Sequence, residues 1–234
     1  MGEGLELAEL LAEVSRDLGR EAVESVTFER VAHRALDVVP ACEKAGVAVR
    51  KRRRRIATAA GTRDAVSVLD ELQCRHGEGP TLIAAFDEDH CLVPDVPADT
   101  AFPTWSPAAA AVGLGSALSV RLAVEEQTLG ALTLYSSRPR AFDATTVALA
   151  RVYAAHAALA LASAKTITGL SAALESRHLI GMAQGVLAHR YGVSFDRAFE
   201  VLMRSSNDTN TKLRDVAAGV LENGTLPELE REAG

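Results

Sequence analysis

Aromatic residues are scarce in this chain of 234 residues: six Phe, three Tyr and one Trp. A single-stranded nucleic-acid groove built on stacked rings needs more of them, so an extended groove of that kind is not expected. Cysteine is scarce too. Cys42, Cys74 and Cys91 are an odd number without paired spacing. That argues against a disulfide framework and favours reduced, mostly buried thiols. Cys74-Arg-His76 and His90-Cys91 lack the Cys-x₂₋₄-Cys spacing of a zinc site, and no metal is expected. Positive charge is not in excess: 25 Lys and Arg face 31 Asp and Glu, a net charge of -6. Bulk binding to nucleic acid or acidic membrane is thereby disfavoured, though a local basic face is not. The opening residues MGEGLE carry no basic segment, so no secretory signal is expected. Glu6 stands where myristoylation wants Ser or Thr. Residues 100–120 are broken by Pro103, Pro107, Gly113 and Gly115, and residues 152–164 are too short to span a bilayer. A cytoplasmic protein without a membrane segment is expected.

What is present is ordinary globular material: 48% apolar and 24% charged residues. At about 150 residues per domain, the length suggests two domains. Residues 5–18 carry an apolar stripe at helical spacing. Thr27 is the expected N-cap of a second helix, which Pro40 ends. Residues 45–49 and 56–60 read as a β-hairpin around the basic run 50–55. Val66, Leu69 and Leu72 return to helical spacing, and residues 77–80 (GEGP) are expected to turn. Leu92 to Val96 reads as an edge strand, because Pro94 forbids a central position. Two more strands, 118–124 and 128–135, join through Glu125-Glu-Gln. The class is α+β: helices flanking an antiparallel sheet.

From Asp143 the pattern turns helical, and no Pro interrupts residues 144–189. A helix much longer than 25 residues usually packs against a partner helix. Strand content stops here, so the domain boundary falls inside this helix, giving domains 1–165 and 166–234. The second reads as three short helices. Gly192 is an expected αL residue after the first, and Ser194 caps the second, with Phe195, Ala198, Phe199 and Leu202 inward. Residues 207–210 form the next turn and cap, and Gly224 and Pro227 stop the third helix.

Catalytic motifs are missing. There is no Gly-x-Ser-x-Gly, phosphate loop, dinucleotide fingerprint or His pair, and the chain is not read as an enzyme. The run at 50–55 fits either RNA phosphates or another anionic partner on one side, or a solvated turn blunting a sheet edge on the other; the second is favoured. Residues 166–226 hold six basic and six acidic side chains, so their net charge nominates nothing. Their distribution is more suggestive. Arg204, Lys212 and Arg214 flank one turn, beside Ser205, Ser206 and Asn210, the kind of set that reads RNA loops. A polar solvated turn has the same composition.

Residues 69–80 (LDELQCRHGEGP), 103–109 (PTWSPAA), 115–122 (GSALSVRL), 129–137 (LGALTLYSS) and 141–143 (AFD), in that order, resemble the GAF domains of actinobacterial regulators. Residues 176–187 (SRHLIGMAQGVL), 198–206 (AFEVLMRSS) and 210–217 (NTKLRDVA) resemble an ANTAR domain. The resemblance implies a GAF-like sensor joined by a long, coiled-coil-forming helix to a three-helix ANTAR module. It implies that the module binds paired RNA hairpins as a homodimer and prevents a terminator from forming. Gln184, Arg190, Arg204, Ser205, Asn210, Lys212 and Arg214 are the expected RNA-binding residues; Gln184 stands where the family often carries Lys. The Asn-Lys-x-x-x-Phe-x-x-x-Asp-Glu set of cyclic-nucleotide-binding GAF domains is missing, as is a bilin-attachment cysteine context. The GAF cofactor is therefore unknown: a small-molecule ligand, or none, with dimerisation alone. Two rivals stand beside this reading. One is a small-molecule or redox sensor whose C-terminal helices bind a protein; the other, more remote, is an enzyme with an unrecognised site.

Overall fold

The computed structural model describes residues 12–13, 16–18 and 23–226. The helix expected over residues 5–18 lies largely outside the described residues; 12–13 and 16–18 are helical. The chain divides into two compact units, residues 1–167 and 168–234.

In the first unit, α1 (Glu24–Val38) starts one turn before the expected cap. Thr27 is buried inside that turn, its hydroxyl donating to the Val23 carbonyl at 3.0 Å. Five strands follow: β1 (Lys44–Lys51), β2 (Arg55–Gly61), β3 (His90–Val93), β4 (Ser116–Val124) and β5 (Gln127–Ser136). They form one sheet in the order β2-β1-β5-β4-β3, and every neighbouring pair is antiparallel. The expected hairpin around the basic run is β1–β2, and Glu125 and Glu126 alone connect β4 to β5. β3 is the expected edge strand and stops at the residue before Pro94. At Gly130, β5 crosses close to β1: a Cβ there would lie 1.9 Å from the Ala48 carbonyl oxygen.

Alternation along the strands feeds two cores. Val47, Leu118, Val120, Leu122, Leu132 and Leu134 cluster with Val31 and Ala35 of α1 and with Ala150, Tyr153, Ala157 and Leu161 of α5 (Ala144–Tyr191). Tyr153 donates to the Val31 carbonyl at 2.7 Å, tying the two helices. The alternate residues Ala117 and Tyr135 cluster instead with Leu69 of α2 (Asp64–His76) and with Trp105 of α4 (Trp105–Ala111). Phe102 meets Trp105 edge to face at 6.0 Å, and the indole N–H donates to the Leu69 carbonyl at 3.4 Å.

Besides α4, which lies in the stretch read only as broken by Pro and Gly, one more helix was not expected. The GEGP segment does turn, but Pro80 is the first residue of α3 (Pro80–Phe86). Proline suits that position because its missing N–H has no partner to lose. The free N–H groups of Thr81 and Leu82 donate to Gln73 Oε1 of α2, at 2.8 and 3.4 Å. The cap comes from eight residues away in sequence. Gln73 is fully buried and its amide also donates to the Thr81 hydroxyl, which bonds Thr133, which in turn bonds Ser119.

Asp70 is buried beside this network, accepting from Thr58 at 2.7 Å and from the Tyr135 hydroxyl at 3.5 Å. Burial raises its carboxyl from 3.8 to about 6, against the opposing pull of those hydroxyls. Such a group binds its proton more tightly folded than unfolded. Its favourable contribution is complete below the ordinary value, and is lost as pH rises through the folded value. The penalty above pH 6 is about 3 kcal/mol at most. Asp70→Asn, which keeps the hydroxyl contacts, should therefore be more stable than wild type at pH 7.5. It should also flatten the decline in stability between pH 4 and 6. Denaturant titrations at a series of pH values test this; equal stability of the two proteins at pH 7.5 would refute the charge penalty.

Burial also pushes the Cys42 and Cys91 thiols up to about 12 each. All three cysteines are free, and no cluster of metal-ligating side chains occurs among the described residues.

The 48-residue helix α5 is long and apolar enough to cross a membrane by length and composition alone, as a core helix also can be. Its first part is the core helix of the sheet. Along it run exposed apolar residues that no core uses: Val152, Leu159, Ile167, Leu170 and Leu174. At about 100° per residue Val152, Leu159 and Ile167 of the first unit fall within an arc of about 80°, and Leu170 and Leu174 of the second within about 40°.

The second unit packs the end of α5 with α6 (Phe195–Thr209) and α7 (Leu213–Asn223). Ala183, Leu187, Ala198, Leu202, Val216, Ala217 and Val220 make its core. Gly192 has φ 65°, reversing the chain after α5 where a side chain would be strained. Ser194 caps α6 as expected, its hydroxyl accepting from the Arg197 N–H at 3.2 Å. The α6–α7 turn differs. Residues 207–209 remain helical, and the turn is Asn210-Thr211-Lys212, with Asn210 in the αL conformation at φ 50°. The Thr209 hydroxyl bonds the Ser205 carbonyl, a contact inside the helix that holds its last turn.

Candidate nucleic-acid interface

The α6–α7 turn presents a run of polar residues, Asn207 to Lys212, that are exposed. Its backbone is set by two local bonds: the Thr211 N–H donates to the Ser206 carbonyl at 3.1 Å, and the Ser206 hydroxyl to the Thr211 carbonyl at 2.7 Å. Asn210 and Lys212 are exposed on it. Lys212 is the N-cap of α7, in extended conformation, and its carbonyl accepts from Asp215 and Val216. Arg204, on α6 ahead of the turn, is exposed as well. Among the described residues neither Arg204 nor Lys212 has an ion-pair partner. Arg214 does, in the adjacent Asp215 at 3.2 Å, and both line a cleft of about 230 Å³ with Glu175, Ser176 and Leu179 of α5. An unpaired cation, a carboxylate-shared guanidinium and an amide thus stand at the start of α7, with a second unpaired cation, Arg204, on the helix before the turn. The N-terminus of α7 adds the partial positive charge of the helix.

Against known families, residues 21–162 match the model of the GAF domain. The chain belongs to the GAF domain family. Residues 168–221 match the ANTAR domain, and GAF is a sensor domain while ANTAR is an RNA-binding antitermination output domain. Neither is a catalytic domain. Solved structures agree on the fold of the GAF part. The GAF domain of an Acinetobacter phosphoenolpyruvate-protein phosphotransferase is 13% identical, with TM-score 0.55 over 70% of this chain and 98% of that one. Free methionine-R-sulfoxide reductase from Neisseria meningitidis, in complex with its substrate, is 16% identical, with TM-score 0.56 over 68% and 90%. The photosensory core module of Stigmatella aurantiaca phytochrome is 10% identical, with TM-score 0.60 over 83% and 43%. No curated protein matches the chain.

The seven residues nominated from sequence separate within the ANTAR unit. Asn210, Lys212 and Arg214 gather at the turn, with Arg204 on the helix before it. Ser205 does not join them: it is buried among the α6 core positions Ala198 and Leu202, one helical step from Arg204. Gln184 is half-buried and its amide donates to the Phe195 carbonyl at 3.2 Å, holding the entry to α6. Arg190 is exposed at the end of α5, its guanidinium beside Gly224 at the far end of α7. An 11-residue helix is about 16 Å long, so Arg190 stands apart from Lys212 by that order.

Phe195 and Phe199 do not point inward. Phe195 is 60% exposed, and Phe199 and Met203 are each 39% exposed, one turn apart on α6. The buried stripe of α6 is Ala198, Leu202 and Ser205, which rotates the two Phe to the side. Hydrophobicity alone groups all of them; the i, i+4, i+7 spacing around small Ala198 was the signal that separates them. The result is an apolar strip next to Arg204, on the surface of a module with few rings to spare.

Proposed function

We propose that this chain is a cytoplasmic, homodimeric transcription antitermination regulator, in which the GAF unit controls an ANTAR unit that binds RNA hairpins. The observation that carries it is the unpaired pair Arg204 and Lys212 around the α6–α7 turn, with Asn210 and Arg214 beside them, inside a segment that matches ANTAR. Phe195 and Phe199 on the same helix offer rings to splayed loop bases, the mode by which single-stranded RNA is read. Ser205 drops from this surface, and Gln184 acts by positioning α6. Arg190 meets a more distant phosphate. The exposed stripe on α5 is the dimer seam, which brings two ANTAR units to two hairpins. Input enters at the GAF unit. A small molecule bound there shifts the protein between two arrangements only by its difference in affinity for them.

The test is a salt titration of hairpin binding. Arg204→Ala with Lys212→Ala should lower the slope of log K against log salt by about 0.7–0.9 for each lost phosphate contact. Circular dichroism should stay native, since both side chains are exposed. Normal binding by the double variant at every salt concentration would refute the site. A wild-type protein that ignores hairpin RNA and instead captures a protein through α6 would replace the function.

A further inference from the structure

The tip of the β1–β2 hairpin carries six consecutive cations, residues 50–55. It is built against local preference. Arg53 and Arg54 have φ of 58° and 52°, the left-handed region where a hairpin turn ordinarily uses Asn or Gly. Arginine there strains the turn and sets like charges side by side. Edge protection does not explain it. A charge guards an edge when it sits on the edge strand, and β2 carries only Arg55 of the run, at its first residue. The turn residues 52–54 have no strand to guard.

The side chains are arranged rather than merely solvated. The Arg50 guanidinium lies over the Phe86 ring at 4.6 Å, and that of Arg54 at 5.7 Å. Arg54 also makes a two-pronged ion pair with Asp87, at the end of α3. These contacts pin the base of the hairpin tip onto α3. Among the described residues no carboxylate pairs with Arg50, Lys51, Arg52, Arg53 or Arg55. Arg50 to Arg54 and Phe86 together line a recess of about 440 Å³, open to solvent. A small anion needs walls and buried donors, which this recess lacks. An extended polyanion needs a held row of cations along an open surface, which is what stands here.

We propose that the β1–β2 hairpin tip is a second RNA contact of this protein, in which Arg52 and Arg53 grip the phosphodiester backbone while Arg50 and Arg54 hold the tip on α3. The proposal rests on the RNA-binding reading above and adds to it a contact made by the sensor unit itself. It also accounts for the strained turn: arginine at φ 58° is tolerated because its charge is used.

The experiment uses the full chain and a synthetic RNA of two hairpins joined by a single-stranded linker. Arg52→Ala with Arg53→Gly should lower the log–log salt slope by about 0.7–0.9 for each of the two lost contacts, and weaken binding near 0.15 M salt by about tenfold or more. The same variant should unfold at a temperature equal to or above wild type, because glycine relieves the left-handed turn. Arg52→Lys with Arg53→Lys should keep the slope, since phosphate attraction needs charge rather than the guanidinium plane. Lower affinity with unchanged or higher stability supports the contact. An unchanged slope in the Ala/Gly variant, while Arg204→Ala with Lys212→Ala weakens binding, overturns the hairpin contact and leaves the ANTAR reading standing. A wild-type protein with no affinity for the RNA overturns both. Loss of slope in the Lys variant overturns phosphate as the group recognised.

Discussion

Leu170→Lys should turn a dimer into a monomer while leaving each fold intact. Leu170 is 62% exposed and belongs to none of the hydrophobic cores, so the substitution removes no intrachain packing. Within its unit it shares a face of α5 with Leu174, also exposed. Two copies of that face meeting along a seam would bury Leu170 twice, at roughly 1.5–3 kcal/mol per side chain. Lysine removes that gain and sets two like charges against each other. Sedimentation at micromolar concentration should shift to the monomer, with circular dichroism near native. Binding to a two-hairpin RNA should fall by about 10²-fold or more, against little change for a single hairpin, because the second site loses its effective concentration. A wild-type protein that sediments as a monomer and still engages both hairpins would end the dimer mechanism.

Trp105→Ala is expected to have the largest effect on stability. Trp105 is fully buried, packed with Leu69, Phe102, Ala109 and Tyr135, and is the single Trp of the chain. Removing the indole leaves a void that the sheet and α2 cannot close, and takes from the Leu69 carbonyl the second donor it has beside its own helix. The loss should be about 3–5 kcal/mol. For a chain of this size that lowers the unfolding midpoint by roughly 6–20 °C. Trp105→Phe keeps a ring and loses only the N–H contact and some volume, so it should fall between the two. Thermal denaturation of the three proteins decides; an alanine variant melting within a degree or two of wild type would mean this core is not load-sharing with the rest.

Much of the architecture was legible because its signals are local. The β1–β2 and β4–β5 pairs follow alternating apolar residues across short turns. Gly192 and Ser194 are decided by their own backbone and hydroxyl. What escaped was decided at a distance. Helix α3 follows a Gly-x-Gly-Pro segment that reads as a break, and its first N–H groups are satisfied by Gln73 from another helix. Thr27 has a cap's composition, yet its hydroxyl turns back to Val23 because the helix already runs beneath it. Asn207 and Asp208 look like turn residues but lie in a helix that Thr209 and Asn210 close. At the candidate interface, Lys212 and Asn210 were legible as a polar turn. Ser205 and the two Phe were not, because one residue of rotation on α6 exchanges core for surface.

The sulfur chemistry has a practical side. With burial pushing the Cys42 and Cys91 thiols up to about 12, neither is present as thiolate to a useful extent at pH 7, and thiolate is the form that alkylating reagents and peroxide attack. Cys74, like Cys91, is half-buried, its Sγ 3.4 Å from the Ile56 carbonyl. It should be the native site that takes a maleimide first. One change, Cys74→Ser, therefore yields a background quiet enough for a spectroscopic label placed at will on the long helix or the arginine turn.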